Sequence, residues 1–202
     1  MILVDVQCDD SACDEIEYVD VYFNDLNDLV AAIGRYVPDG WRIVSRAEIG
    51  YPIVLCPEHA FEDQEFLHDP ETGTVGDCWR AGIASVLGRP IAEVPHFVRD
   101  YPSQEGDETA RWFAETRGWL LKHHQVEVLY YDNPDAVRAE CRAEVSVFPH
   151  ILIDGRSPRG DFFHVVVGDA ETGEMVHDPH PDRTGLREIT GAFVLVREAT
   201  ES

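Results

Sequence analysis

The chain has 202 residues, of which 44% are hydrophobic and 10% aromatic, which is typical of a folded globular protein. Its 39 acidic and 16 basic residues give a net charge of −23, which argues against direct binding to nucleic acid or to an anionic membrane. The acidic residues are scattered, which indicates a well-solvated surface; a protein that imitates DNA is the alternative. No apolar run could span a bilayer and no secretory signal is evident, so we expect a cytoplasmic protein.

Five cysteines are present: Cys8, Cys13, Cys56, Cys78 and Cys141. An odd number of cysteines in a chain without a secretory signal argues against a disulfide framework. Metal binding and catalysis are therefore the roles that we consider, and Cys141 is interpreted as structural.

Residues 1–60 are predicted to form a separate β-rich module. Alternating and β-branched residues predict four strands, and one apolar face in the segment after the second strand predicts a helix over Asp25–Tyr36. The predicted strands are Met1–Gln7, Glu15–Phe23, Trp41–Arg46 and Tyr51–Leu55.

Two close pairs of metal-ligating residues occur in this module, Cys8 with Cys13 and Cys56 with His59. Three thiolates and one imidazole match the ligand count of a closed, structural zinc site, and so small a core usually needs such a site. The sequence therefore predicts a zinc-ribbon-like module that holds structural Zn²⁺. The alternative is a set of unrelated reduced cysteines and a surface histidine.

Residues 61–75 are acidic and then turn-forming, and we interpret them as a linker to a second domain over residues 76–202. This domain begins with a predicted helix that Asp77 caps through its carboxylate and that Gly88 ends. Cys78 lies in the first helical turn, where the helix macrodipole favours a thiolate, the nucleophilic form of cysteine. The apolar face of the helix is formed by Trp79, Ile83, Val86 and Leu87.

The rest of the domain is predicted to contain helices first and then a sheet. The helical segments are a short helix or turn at Ile91–Arg99, a helix over Asp107–Arg117 closed by Gly118, and a helix over Asn133–Arg142. The strand-like segments are Trp119–Tyr131 (strongest in Val126–Tyr131), Val147–Ile153, Phe162–Gly168, Glu174–His177 and Ala192–Arg197. This order predicts an α+β fold with helices packed on an antiparallel sheet.

A cysteine nucleophile needs a base, and the base needs a group that orients it. His164 opens one predicted strand, and Asp178 directly follows the next strand. If these strands form a hairpin, His164 and Asp178 are neighbours, and one ring nitrogen of His164 is left to face Cys78. The alternative is three unrelated residues: a core cysteine, a strand histidine and a turn aspartate.

The motifs Asp77-Cys78, His164-Val165-Val166 and Asp178-Pro179 resemble those of papain-like cysteine peptidases, above all the bacteriocin-processing (double-glycine leader) peptidases. The resemblance covers about residues 75–197, and includes the closing segment Thr190-Gly191-Ala192-Phe193. It implies a papain-like fold and a Cys78-His164-Asp178 triad. The whole chain is also similar to uncharacterised phage and actinobacterial proteins, which imply no substrate.

In that peptidase family a glutamine about six residues before the nucleophile helps to form the oxyanion hole. This chain has Thr72 at that position. Loss of such a donor costs on the order of 100- to 1000-fold in rate. The backbone N–H of Cys78, with Thr74 or Gln104, is the substitute that the sequence offers.

Two further groups of residues surround the predicted triad. His164, His177 and His180 could instead hold zinc. The loop that contains Arg156, Arg159 and Asp161 is either an anchor for a substrate carboxylate or phosphate, or a solvated loop.

The sequence thus predicts a cysteine hydrolase that acts on an amide or isopeptide bond of a peptide or similar substrate. Cys78 attacks, His164 is base and then acid, and Asp178 orients His164. Two other hypotheses remain: an inactive papain-like protein that binds a partner through its acidic surface or zinc module, and a transglutaminase-like acyl transferase.

Overall fold

The computed structural model describes residues 61–104, 109–132 and 148–197, together with four short N-terminal strands. Contacts between residues divide the chain into two compact units, Met1–Phe61 and Glu62–Ser202.

The first unit contains two antiparallel strand pairs. Strand β1 (Ile2–Gln7) pairs with β2 (Ile16–Val21), and β3 (Arg42–Ser45) pairs with β4 (Pro52–Leu55). The four predicted strands are therefore confirmed. The other predicted features of this unit lie outside the described residues: the helix Asp25–Tyr36 and the zinc ligands Cys8, Cys13, Cys56 and His59.

The second unit contains helices followed by an antiparallel sheet, which confirms the predicted α+β class. Its helices are α1 (Cys78–Leu87), a single 3₁₀ turn (Ile91–Glu93), α2 (Phe97–Asp100) and α3 (Arg111–His124). Its strands are β5 (Val126–Tyr131), β6 (His150–Arg156), β7 (Phe163–Asp169), β8 (Met175–His177) and β9 (Glu188–Arg197). The predicted helix Asn133–Arg142, with Cys141, lies outside the described residues.

The five strands form one sheet in the order β5-β9-β6-β7-β8, and every neighbouring pair is antiparallel. The register between β6 and β9 shifts between Asp154 and Gly155. A Cβ atom on Gly155 would lie 2.0 Å from the carbonyl oxygen of Glu188, so only glycine fits there. Because Gly155 is paired with His164 in β7, this irregularity lies beside the start of the strand that carries His164.

Helix α1 packs against the sheet through small and aromatic residues. A Cβ atom on Gly82 would lie 2.8 Å from Cδ2 of Leu152 in β6, so glycine allows α1 to approach the sheet closely. The Trp79 ring contacts the Phe193 ring of β9 edge-on, with centroids 4.7 Å apart. These contacts fix the N-terminus of α1, and with it Cys78, over the sheet.

Helix α3 is longer than the sequence predicted, because Gly118 does not end it. Thr116 and Leu120 on either side of Gly118 are fully buried, and their packing outweighs the poor helix propensity of one glycine. The helix ends instead where Gln125 adopts a left-handed conformation with φ 52° and donates to the carbonyl groups of Leu120 and Leu121. The strand predicted from Trp119 is therefore confirmed only over Val126–Tyr131.

The start of α1 also differs from the prediction. Asp77 is fully buried but makes no side-chain capping bond to the helix. Its Oδ1 accepts a hydrogen bond from the backbone N–H of Phe66 at 2.9 Å, and Oδ2 one from Arg80 Nη1 at 3.3 Å. Asp77 therefore joins residues 62–75 to the helix instead of capping it. The end of α1 is as predicted, with Gly88 in a left-handed conformation at φ 63°.

Candidate active site

Cys78, His164 and Asp178 come together at the place where α1 meets β7 and the end of β8. Strands β7 and β8 pair antiparallel with Val167 opposite His177, so the start of β7 lies beside the residue that follows β8. His164 Nε2 lies 2.7 Å from Asp178 Oδ1. A carboxylate can only accept a hydrogen bond, so Nε2 carries the proton and donates it.

The Cys78 side chain lies near His164 and is one of the groups that raise the pKa of His164. Since Asp178 occupies Nε2, the nitrogen left for the thiol is Nδ1. Cys78 is partly exposed, whereas His164 is only 3% exposed and Asp178 only 2%. The three side chains therefore lie in one row, with its sulfur end open and its carboxylate end buried.

The protein environment favours charge on both His164 and Asp178. Burial alone would lower the pKa of His164, but its hydrogen bond to Asp178 and the nearby Cys78 raise that pKa to about 9. Burial alone would raise the pKa of Asp178, but hydrogen bonds from His164 and from the backbone N–H groups of His180 and Gly185 hold it well below its usual range. His164 is therefore an imidazolium beside a carboxylate at neutral pH.

Further contacts hold the loop after β8 in place. Arg183 donates a hydrogen bond to the backbone carbonyl of Asp178 and forms an ion pair with Asp63. Arg159 Nη1 lies 3.6 Å from Asp178 Oδ2, and the backbone N–H of Gln64 donates to the carbonyl of Pro179 at 3.0 Å. These contacts restrain the carboxylate of Asp178, and through it the imidazole.

A cavity of about 820 Å³ opens at this row of side chains. Cys78 and His164 line it, and aromatic side chains form much of the remaining wall. These are Trp79, Trp112, Phe162, Phe163 and Phe193. A concave, mostly apolar site with a few polar groups is typical of a site for a small molecule or one peptide segment.

Gln64 lines the same cavity, and the sequence analysis did not identify it. Its Nε2 donates to the carbonyl of Phe66 at 2.8 Å, which leaves its second N–H available, and its Oε1 is buried with no partner among the described residues. Gln64 precedes Cys78 by fourteen positions instead of about six. The segment 62–75 folds back over the helix start, a feature that no local pattern predicts.

Neither Thr72, at the position of the family's glutamine, nor Thr74, one of the two side chains offered as a substitute, lines the cavity. Thr72 is exposed, and its hydroxyl lies in a turn, bonded to Asp69 Oδ2 at 2.8 Å and to the hydroxyl of Thr74 at 2.9 Å. Gln104, the other side chain offered as a substitute, is likewise absent from the wall of this cavity.

The three-histidine zinc site considered above is not formed. His177 Nε2 lies 3.2 Å from the carbonyl oxygen of Glu62, and the rings of His164 and His180 are 6.3 Å apart, centroid to centroid. Over residues 61–104, 109–132 and 148–197, no three histidine, cysteine or acidic side chains converge as metal ligands.

Comparison with protein-family models, with curated proteins and with solved structures finds no significant match for this chain. Within the part of the chain that the structure describes, every helix is too short or too polar to cross a bilayer.

Proposed function

We propose that this protein is a papain-like cysteine hydrolase that acts on an amide or isopeptide bond. The observation that carries the proposal is the row Cys78–His164–Asp178, in which His164 is hydrogen-bonded to Asp178, at the wall of a cavity of about 820 Å³. A thiol at a helix N-terminus, a histidine in contact with it and a buried carboxylate that fixes the ring are the parts that thiol-dependent acyl transfer requires.

In the proposed reaction the Cys78 thiolate attacks the carbonyl carbon of the substrate, and His164 holds the proton that the thiol has lost. His164 gives that proton to the leaving amine as the C–N bond breaks, which leaves a thioester on Cys78. A water molecule then attacks the thioester while His164 accepts its proton, and the acid product leaves as the thiolate re-forms. Asp178 stays ionised and orients the ring throughout.

The oxyanion of the tetrahedral intermediate needs hydrogen-bond donors. The backbone N–H of Cys78 is one candidate, since the first amides of a helix have no partner within the helix. The side-chain amide of Gln64, on the same cavity, is the second. We therefore assign Gln64 the role that the family resemblance gives to a glutamine closer to the cysteine.

The test is cleavage of a randomised peptide library, read by mass spectrometry as new amino termini. The wild-type protein is expected to produce them and Cys78→Ala is not; equal results from both proteins would contradict the proposal. An added primary amine separates hydrolysis from acyl transfer. If the amine appears in the product in place of water, the protein is a transglutaminase-like acyl transferase.

The zinc-ribbon-like module stays part of the proposal. Cys8, Cys13, Cys56 and His59 are proposed to hold one structural Zn²⁺, on the ligand count and spacing alone. A structural ion of this kind contributes to folding and takes no part in the reaction.

A further inference from the structure

Arg159 is a cavity residue that the proposed reaction does not use. It lies in the loop between β6 and β7 and forms part of the same wall as Cys78 and His164. Its Nη1 donates to the hydroxyl of Thr184 at 2.7 Å and lies 3.6 Å from Asp178 Oδ2. Its Nε and Nη2 are buried and have no hydrogen-bond partner among the described residues.

Two buried donor atoms without partners on one guanidinium are costly to the fold. Nearly all buried polar groups in proteins have partners, and an unpaired donor on a charged group costs at least as much as a neutral one. The other arginine of this loop is different: Arg156 pairs with Asp161 at 3.6 Å, and its guanidinium lies 4.2 Å from the centroid of the Phe163 ring. Of these two arginines, Arg159 alone lines the cavity and has N–H groups without an acceptor among the described residues.

The charges around the cavity favour an anion as the missing partner. Asp161, which also lines the cavity, is paired with Arg156. Asp154, another lining residue, accepts a hydrogen bond from the hydroxyl of Thr190 at 3.1 Å. Both carboxylates thus have partners within the protein, whereas the Nε and Nη2 atoms of Arg159 lack acceptors.

The geometry of the unpaired atoms narrows the choice of anion. Nε and Nη2 lie on one edge of the planar guanidinium, and their two N–H groups point the same way. This edge matches the two oxygens of a carboxylate, which it binds through two parallel hydrogen bonds. Since both nitrogens are buried, we expect the Arg159 side chain to turn towards the cavity when the carboxylate binds.

We propose that Arg159 is a specificity residue that binds a carboxylate of the substrate, so that the substrate is an amide with a free carboxylate near the bond under attack. This inference rests on the proposed function, because it takes Cys78 to be the reacting group. The carboxylate is either the C-terminus of a peptide or an acidic side chain.

The test compares reagents that alkylate Cys78, with loss of iodide, and differ only in charge. Iodoacetyl-alanine is compared with iodoacetyl-alanine amide, and iodoacetyl-aspartyl amide with iodoacetyl-asparaginyl amide. For each pair the ratio of alkylation rates, charged over neutral, is measured on the full chain by peptide mapping of Cys78. The proteins are the wild type, Arg159→Gln, and Arg156→Gln as the control for loss of one positive charge in the same loop.

The wild-type ratio is expected to exceed that of Arg159→Gln by roughly tenfold or more for at least one pair, as two charge-assisted hydrogen bonds imply. Arg156→Gln is expected to keep the wild-type ratio. A preference confined to the first pair identifies a terminal carboxylate, and one confined to the second pair identifies an acidic side chain.

Equal ratios in wild type and Arg159→Gln for both pairs would overturn the inference, as would an equal loss in Arg156→Gln. The neutral reagents report separately on the proposed function. If they react with Cys78 at the same rate with and without His164, the proposed function fails. If the neutral reagents react with Cys78 more slowly when His164 is removed, but charged and neutral reagents show no difference that depends on Arg159, only the role of Arg159 fails.

Discussion

At the scale of single residues, the chemistry of the site depends on how burial is offset by hydrogen bonds. His164 and Asp178 are both buried, and burial alone would favour the neutral form of each. Their mutual hydrogen bond of 2.7 Å, with the backbone donors on Asp178, reverses that preference. The result is an imidazolium that faces the only cysteine among the described residues.

This pairing predicts a pH dependence of stability. The pKa of His164 is raised from about 6.5 in the unfolded chain to about 9 in the folded protein. The contribution of this shift to the free energy of unfolding is therefore complete below pH 6.5 and is lost as pH rises through 9. The stability advantage of the wild type over His164→Gln is therefore expected to shrink between pH 6.5 and 9.5, by up to about 3 kcal/mol. Urea titrations at a series of pH values measure this difference.

The exposed His123 of α3 provides the control, as His123→Gln removes a histidine away from the site. A stability difference between wild type and His164→Gln that stays constant from pH 6 to 10 would show that His164 gains no charge-dependent stabilisation from Asp178.

A variant of Gln64 can show whether this residue acts on the oxyanion or only supports the structure of the site. Gln64→Ala is expected to lower the rate of substrate hydrolysis on the order of 100- to 1000-fold, because it removes one donor to the oxyanion. It is expected to leave alkylation of Cys78 nearly unchanged, since alkylation forms no oxyanion. Thr72→Ala, at the position that the family spacing indicates, is the matched control and should keep full hydrolysis. Loss of hydrolysis in Thr72→Ala with full hydrolysis in Gln64→Ala would contradict the assignment.

At the scale of elements, the site depends on the close contact between α1 and the sheet. Gly82 and Gly118 both lie inside helices, but a Cβ atom at Gly82 would lie 2.8 Å from Leu152, whereas one at Gly118 would meet no atom within 4 Å. Substitution at Gly82 therefore tests packing against the sheet, whereas substitution at Gly118 tests helix propensity alone.

We expect Gly82→Val to destabilise the protein by about 1–3 kcal/mol, because extra methyl groups would press α1 away from Leu152. We expect Gly118→Ala to stabilise it by about 0.5–1 kcal/mol, because alanine is the better helix former and has space. Urea unfolding followed by tryptophan fluorescence measures both. A Gly82→Val variant as stable as the wild type would show that the contact between α1 and β6 is looser than the approach of Gly82 to Leu152 indicates.

Sequence reasoning predicted the elements and the proximity of Cys78, His164 and Asp178 better than it predicted the segment before them. Cys78, His164 and Asp178 could be found because each belongs to a local pattern: a helix start, a strand start and a strand end that a short hairpin brings together. Gln64 and the role of Asp77 could not be predicted, because both depend on how residues 62–75 fold back onto the helix. The helix end predicted at Gly118 was wrong, because the burial of Thr116 and Leu120 outweighs the low helix propensity of one glycine.

At the scale of the whole molecule, the chain divides into two compact units. The unit Glu62–Ser202 has a sheet core, and its central cluster includes Ile151, Ile153, Val166 and Val194. For the unit Met1–Phe61, the sequence predicts one structural zinc ion. We expect one zinc per chain in freshly purified wild-type protein and none in Cys56→Ser. Cys141→Ser is the control and is expected to keep its zinc. Metal analysis of the three proteins tests this prediction.

The net charge of −23 has a consequence for the proposed substrate. A strongly acidic protein repels anionic ligands at a distance, so a carboxylate that binds Arg159 gains its affinity from close contact and not from long-range attraction. Raising the salt concentration screens that repulsion, and association of such a substrate should therefore become faster.

The most direct test of the account is the pH dependence of Cys78 alkylation by iodoacetamide, in the wild type and in His164→Gln. If the imidazolium of His164 stabilises the thiolate, the wild type is expected to react rapidly down to about pH 6, where His164→Gln reacts at least about tenfold more slowly. Rates that coincide in the two proteins from pH 6 to 9 would mean that Cys78 and His164 lie in contact without acting as a catalytic pair.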